Sequence, residues 1–425
     1  MMSAAAGRRR KHHLQLFCDL AIGLAALALI LVTSRPATAD EAFRAWVEEL
    51  WPEAQAFGIS RKTFDTAFRN LEPDLKLPDL VLPGRKQTPR GQAEFTRPPQ
   101  DYINKKQIER LAAAGRALRA EHAETLRLIE RRFGVEGHAV LAIWGRETAF
   151  GAHRLPHNAI RALATQAYLG RRKDMFRNEL LHALKLVDDG IISLEEMRSS
   201  WAGAIGLPQL MPSEFHQWAY DLDGDGRKDI WNSIPDALAA IARQLQGKGW
   251  VKGQTWGYEV RLSPKVDCSF EGPANARPIS EWMALGVRRA FGREFPASVR
   301  DAEAYLMMPG GAYGPAFLVL ENYRVIRRYN MSDLYAVFVG HLADRIAGGG
   351  DFETPWQNIT QLPTKDVEEI QRGLKAAGYA IDKIDGKVGS NTRWQIGLYQ
   401  RANQLKVDCW PTAALLQQLR SAAER

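Results

Sequence analysis

The chain has 425 residues, 45% of them hydrophobic, and a formal net charge of +8, a length that holds one large domain and one small one. Residues 1–39 carry five of the cations and one acid, which leaves the remainder near +4. So mild a balance, with no basic stripe interleaved with aromatics, excludes nucleic acid as a partner and suits an anionic polymer.

In chain order, Arg8, Arg9, Arg10 and Lys11 precede an apolar run from Leu20 to Val32, and Ala37-Thr38-Ala39 follows it. Charge, then apolar run, then small residues is the order of a secretory leader, and the run falls short of the roughly 20 residues that span a bilayer. Residues 1–39 are therefore expected to be a signal peptide cleaved near Ala39. Cys18 stands before the apolar run, the wrong place for a lipid-modified cysteine. Export leaves Cys268 and Cys409 in an oxidising compartment where a disulfide is permitted, but they fall in regions assigned to different domains, so two unpaired thiols are expected. No Cys/His spacing suggests zinc.

From Ala42 to Leu71, Phe43, Trp46, Val47, Leu50 and Trp51 recur at helical spacing. The Pro-rich stretch Leu77–Pro99 reads as a surface crossing. Helical periodicity resumes at Tyr102 and continues through Ile108, Leu111, Leu118, Leu126, Ile129 and Phe133 to Trp144. Strand signals are sparse, at Tyr258–Leu262, Ala316–Val319 and Tyr323–Ile326. A mainly α globule with a minor sheet is expected over residues 40–350. Asp351–Pro363, with two prolines, reads as a linker. Residues 364–425 then form a second compact unit, about as small as a lone domain can be.

Two segments carry chemistry. Ala142–Gly151 places Glu147 at the end of a strongly apolar helical run, where desolvation disfavours the charged carboxylate and leaves a proton to donate near neutrality. Ser200–Ser213 is dense in small residues that let backbone approach closely, with Ser200 and Gln209 able to bond hydroxyl or acetamido groups. A third segment, Asp221–Asn232, fits the calcium-loop template through Asp221, Asp223, Asp225, Gly226 and Asp229, with Arg227 offering its backbone carbonyl; Asn232 stands where the template has a bidentate glutamate. It reads as a weak calcium site or as a tight acidic turn.

With Arg171-Arg172 before Met175-Phe176, Trp231, Gly249-Trp250-Val251, Arg328-Tyr329-Asn330-Met331-Ser332 and Tyr335, these segments resemble the lytic murein transglycosylase B family over residues 40–350. The resemblance implies a lysozyme-like α+β fold with a glycan groove, no required cofactor, and Glu147 as single general acid and base. The expected reaction cuts the MurNAc–GlcNAc bond without water and leaves a 1,6-anhydromuramoyl end, so no second carboxylate of the usual glycosidase pair is needed. It places Ser200, Gln209, Tyr329, Asn330, Tyr335, Arg171, Arg172 and Tyr102 against the glycan. The chain departs from the family at Met175, where some members have tyrosine, and at Arg243-Gln244, where many have Asn-Tyr.

Residues 364–419, with Val367, Ile370-Gln371, Leu374, Ile384-Asp385-Gly386-Lys387-Val388-Gly389, Tyr399-Gln400 and Asp408-Cys409, resemble the three-helix peptidoglycan-binding domain, in which Asp-Gly is usual where this chain has Asp408-Cys409. The implied protein is a periplasmic monomer acting on peptidoglycan glycan strands, with association with the wall-synthesis machinery left open.

Overall fold

The computed structural model describes residues 39–82 and 97–423. Of the expected leader, residues 1–39, all but Ala39 lie outside the described residues, as do residues 83–96 of the Pro-rich stretch. The chain divides into two units, residues 1–73 and 74–425.

In the first unit the expected single helix is two, α1 (Ala39–Ala56) and α2 (Arg61–Phe68). Gly58 takes φ 81° between them, and Ser60 restarts the helix by accepting from the Thr63 N–H at 3.2 Å. Phe43, Leu50 and Phe64 are buried, and Arg61 lies over the Trp51 ring.

The second unit begins with three helices where the periodicity ran from Tyr102 to Trp144: α3 (Lys105–Glu121), α4 (Ala123–Phe133) and α5 (Gly137–Thr148). The breaks fall at His122 and at Gly134, which ends α4 in the left-handed conformation. From Ala139 to Gly145 α5 is apolar on every face, with Val140, Leu141, Ala142 and Ile143 fully buried, so this stretch must be enclosed. The enclosing helices are α3, α4, α8 (Ile234–Gly247) and α10 (Asp333–Ile346), while α6 (Ala159–Leu169) and α7 (Lys173–Asp188) pair with each other alongside. β1 (His157–Asn158) and β2 (Arg198–Ser199) form a short antiparallel pair.

A five-stranded antiparallel sheet is built from β3 (Gly257–Arg261), β4 (Arg277–Pro278), β5 (Arg288–Arg289), β6 (Glu303–Met307) and β7 (Ala316–Val319) in the order β4-β6-β7-β3-β5. β3 and β7 stand where the sequence placed strands. Tyr323–Ile326 is not a strand but part of α9 (Glu321–Tyr329). Its β-branched residues suggested a strand, yet Asn322, Val325, Ile326 and Tyr329 follow helical spacing, with Glu321 in the first turn and Arg327-Arg328 in the last, as the helix dipole favours.

Residues 351–363 have no regular structure, but they are anchored: the Asp351 carboxylate meets Lys105 at 2.9 Å and His341 at 3.3 Å, and Phe352 stacks on His341. The three C-terminal helices follow, α11 (Thr364–Ala376), α12 (Ser390–Ala402) and α13 (Ala413–Ala423), around a core of Ile370, Leu374, Ile396, Tyr399, Leu416 and Leu419. The turn at Asp408-Cys409 survives the loss of the usual glycine because Cys409 itself adopts φ 55°, its N–H held by the Gln400 side chain at 2.8 Å.

The cysteines correct the sequence reading: Cys268 and Cys409 are joined in a disulfide. Assigning them to separate domains ignored that α12 packs against the turn Cys268–Phe270. Gly397 of α12 permits the approach, since a Cβ there would run into the Cys409 sulfur. The bond closes a loop across a sequence separation of 141. Replacing both cysteines by serine is expected to lower unfolding free energy by about 2–4 kcal/mol in denaturant titrations without reductant; an intact mass equal to that of the fully reduced chain would show that the bond does not form.

Candidate functional site

Glu147 is half-buried on the last turn of α5. The chain then turns sharply, with Ala149, Phe150 and Gly151 all left-handed, at φ 49°, 60° and 79°, and the Phe150 ring meets Trp144 edge-on. Three successive residues in that region are costly for non-glycines. They are stabilised by the Ala149 N–H on the Gly145 carbonyl at 3.1 Å and the Gly151 N–H on the Thr148 hydroxyl at 3.1 Å.

α10 crosses α5 and delivers the Tyr335 hydroxyl, which donates to Glu147 Oε1. Burial first, and then the neighbouring Glu147 carboxylate, push the Tyr335 pKa well above its ordinary value, so it remains a neutral donor. On the other side of Glu147 in sequence, Arg146 lies over the Tyr102 and Phe338 rings at 5.0 Å and donates to the Tyr102 hydroxyl at 2.6 Å. Burial opposes the Arg146 charge, but Tyr102 and then Glu147 outweigh it, and its pKa is raised.

The segment from Ser200 to Ser213 is a folded loop held at both ends and from above. Ser200 closes its first turn, its hydroxyl accepting from the Ala204 N–H at 3.2 Å. Ile205 and Leu210 exchange backbone bonds at 2.7 and 3.1 Å, and between them Gln209, at φ 56°, donates to the Gly206 carbonyl at 2.9 Å. Buried Glu179 of α7 clasps Ser213 through both its N–H and its hydroxyl, at 2.9 and 2.8 Å. The loop reaches the Glu147 region twice: the Leu207 carbonyl faces the Thr148 hydroxyl at 3.4 Å, and the Pro208 carbonyl accepts from the Tyr329 hydroxyl at 2.6 Å. Tyr329 is likewise kept protonated, by burial and then by Glu147.

Glu147, Tyr335, Tyr329, Ser200 and Gln209 thus belong to one connected constellation, with half-buried Asn330 capping α9 beside Tyr329. The other expected residues make contacts of their own. Tyr102 is buried, 5% exposed, as a support beneath Arg146. Arg171 and Arg172 are exposed and pair with Asp79, Arg171 Nε at 3.1 Å from its carboxylate. Among the groups the sequence reading missed, Thr148 carried no signal beyond its place after Glu147, and Glu179 lies on an ordinary amphipathic helix.

The acidic loop differs from its template. The carboxylates within reach of one cation are Asp221, Asp223 and Asp236, a group that includes neither Asp225 nor Asp229. Asp229 instead caps the turn that follows, accepting from the Trp231 and Asn232 N–H groups at 3.0 and 2.9 Å. Asp236 is fully buried and accepts from the Leu222 and Asp229 N–H groups at 2.8 and 2.9 Å; burial raises its pKa despite them. Its signal was legible as the third residue after the Ser233 helix cap. Three acidic side chains drawn together fit a hard divalent cation. The loop also braces the site, since the Ile230 carbonyl accepts from the Leu207 N–H at 2.9 Å.

Residues 42–344 match the family model of the transglycosylase SLT domain, and residues 363–419 that of a peptidoglycan binding domain. Solved structures of SltB3 from Pseudomonas aeruginosa, in complex with NAG-NAM-pentapeptide and with NAG-anhNAM-pentapeptide, are 40% and 39% identical to this chain. Both cover 89% of this chain and 99% of their own, with TM-scores of 0.81 and 0.79. The membrane-bound lytic murein transglycosylase B of Escherichia coli K12 is 29% identical over 216 residues, 51% of this chain and 58% of that relative's length. The Escherichia coli lytic transglycosylase Slt35 in complex with calcium is 26% identical, covering 60% of this chain and 80% of its own, at a TM-score of 0.50.

Gly206 links the acidic loop to the site: at φ 68°, its missing Cβ would lie 2.8 Å from the Ile230 backbone oxygen. Gly206→Ala is expected to lower stability by about 1–3 kcal/mol in thermal unfolding, whereas Gly224→Ala, with open space around it at φ 79°, pays only its backbone strain and loses less.

Proposed function

The chain belongs to the transglycosylase SLT domain family, and from that premise we propose that it is a peptidoglycan lytic transglycosylase with Glu147 as its single general acid and base. The observation that carries this reading is the Tyr335 hydroxyl on the Glu147 carboxylate, at the end of a buried helix and beside a pinned loop. A neutral phenol orients the carboxyl group without neutralising it, as a proton donor and acceptor in one cycle requires.

Protonated Glu147 gives its proton to the oxygen between MurNAc C1 and GlcNAc C4, and the C1–O bond breaks. The GlcNAc leaves with a free 4-hydroxyl. The Glu147 carboxylate then takes the proton of the muramoyl C6 hydroxyl while O6 bonds to C1, closing the anhydro ring. The residue ends as it began, protonated, and no water is consumed. SltB3, similar along almost its whole length, was solved with a NAG-anhNAM-pentapeptide, the class of product this route makes. Ser200, Gln209, Tyr329 and Asn330 are proposed to line the glycan groove.

The leader-like residues 1–39 and the disulfide both support export to an oxidising compartment, which for a wall enzyme is the periplasm. Residues 40–350 are read as the catalytic domain and 364–425 as a wall-binding one. We also infer that Asp221, Asp223 and Asp236 hold a structural calcium ion, which would stiffen the loop that braces Leu207; a calcium complex of Slt35 supports it.

Mass spectrometry of muropeptides released from purified sacculi tests the reaction. The expected products are lighter than reducing muropeptides by one water, and absent with Glu147→Gln; reducing ends would make the enzyme a hydrolase instead. Tyr335→Phe is expected to lower kcat about tenfold or more through loss of carboxyl positioning. Saturating calcium should add about 2–3 kcal/mol to unfolding at 100 times its Kd, an increment that Asp223→Asn removes. Equal melting in calcium and in chelator would leave the loop a simple acidic turn.

A further inference from the structure

One buried cluster takes no part in the chemistry above, although it lies two residues from it. Arg393, on α12 of the C-terminal module, is 1% exposed. Its Nε lies 3.1 and 3.2 Å from the two Glu271 oxygens and its Nη2 lies 2.5 Å from Glu271 Oε1 and 3.2 Å from Asp333 Oδ2. Nη1 donates to the Val388 carbonyl at 2.8 Å. Glu271 is fully buried and also accepts from the Met308 N–H at 3.1 Å.

Asp333 is the first residue of α10, immediately after the Ser332 cap and two before Tyr335. Its two oxygens divide their partners by module. Oδ1 is held from the catalytic module, by the Tyr323 hydroxyl at 3.1 Å and Arg327 Nε at 3.0 Å. Oδ2 is held from the C-terminal module, by Arg393 and by the Ser390 N–H at 3.2 Å. Two guanidinium groups stand against two carboxylates, the pairing under which such groups persist in an interior; burial nonetheless pushes the Glu271 pKa up to about 7 against the pull of Arg393. A surface-tethered binder needs none of this.

We propose that Arg393 is a positioning residue for the transglycosylase reaction: through Asp333 it sets the start of α10, and so the Tyr335 hydroxyl on Glu147, making the C-terminal module part of the catalytic apparatus as well as a wall binder. The inference rests on the reading of Glu147 as the acid and base. A binder that acts only through local concentration affects polymer substrates alone, whereas a positioning contribution reaches any substrate, however short.

The test compares the full chain with Arg393→Met and Arg393→Lys on two substrates, a soluble GlcNAc–MurNAc tetrasaccharide and intact sacculi. Arg393→Met is expected to lower kcat on the tetrasaccharide about 10- to 100-fold with KM unchanged, and Arg393→Lys to recover part of it. Combined with Tyr335→Phe, Arg393→Met should cost less than the product of the two separate losses, because both act on one contact. Near-ultraviolet circular dichroism reports folding; where Arg393→Met fails to fold, Arg393→Lys and Asp333→Asn carry the same comparison. Full activity of folded Arg393→Met on the tetrasaccharide, a loss confined to sacculi, a loss in KM alone, or independent multiplication with Tyr335→Phe would each overturn the proposal. An inactive wild type sinks the transglycosylase reading and this inference with it, whereas an active wild type matched by its Arg393 variants sinks this inference alone.

Discussion

Everything in the catalytic unit follows from the need to enclose α5. A helix with Val140, Leu141, Ala142 and Ile143 all fully buried has no face to give to water, so four other helices must surround it. Glu147 arrives at the end of that helix, where the enclosure opens. The carboxylate therefore has a fixed backbone beneath it, and its surroundings are delivered by the enclosing elements: Tyr335 from α10, Tyr329 from α9, and the Leu207-Pro208 corner of the small-residue loop.

The features legible in the sequence were those set by local pattern. The apolar run before Glu147, the small residues from Ser200 to Ser213 and β7 all announce themselves within a dozen residues, whereas the three C-terminal helices came from the resemblance to a peptidoglycan-binding domain. What escaped depends on distant partners. Tyr323–Ile326 has strand-like composition, and only the polar residues on both sides of it settle the helix. Arg171 and Arg172 pair with Asp79, almost a hundred residues earlier, a partner that no local pattern announces. The calcium template counts positions along one loop, whereas the third carboxylate, Asp236, comes from the helix that follows it. Met175 is exposed, and nothing in the structure explains its departure from the tyrosine of some relatives.

The acidic loop, the small-residue loop and the end of α5 form a chain of contacts: the Leu207 N–H donates to the Ile230 carbonyl, and the Thr148 hydroxyl, one residue after Glu147, faces the Leu207 carbonyl. The outer loop is thereby linked, through the small-residue loop, to the residue beside Glu147. Glu179 performs the same service from α7, holding Ser213 at the far end of the segment. Rigid support of this kind matters because catalytic groups lose rate steeply with displacement.

The disulfide has a consequence for how the molecule can be taken apart. Pro355 and Gln357 are exposed in the irregular connector, the kind of segment a protease nicks. In a thread-linked enzyme one such cut releases the binding module. Here both positions lie inside the covalent ring closed by Cys268 and Cys409, so a nicked chain stays in one piece. Separating the two modules takes a cut and a reductant together.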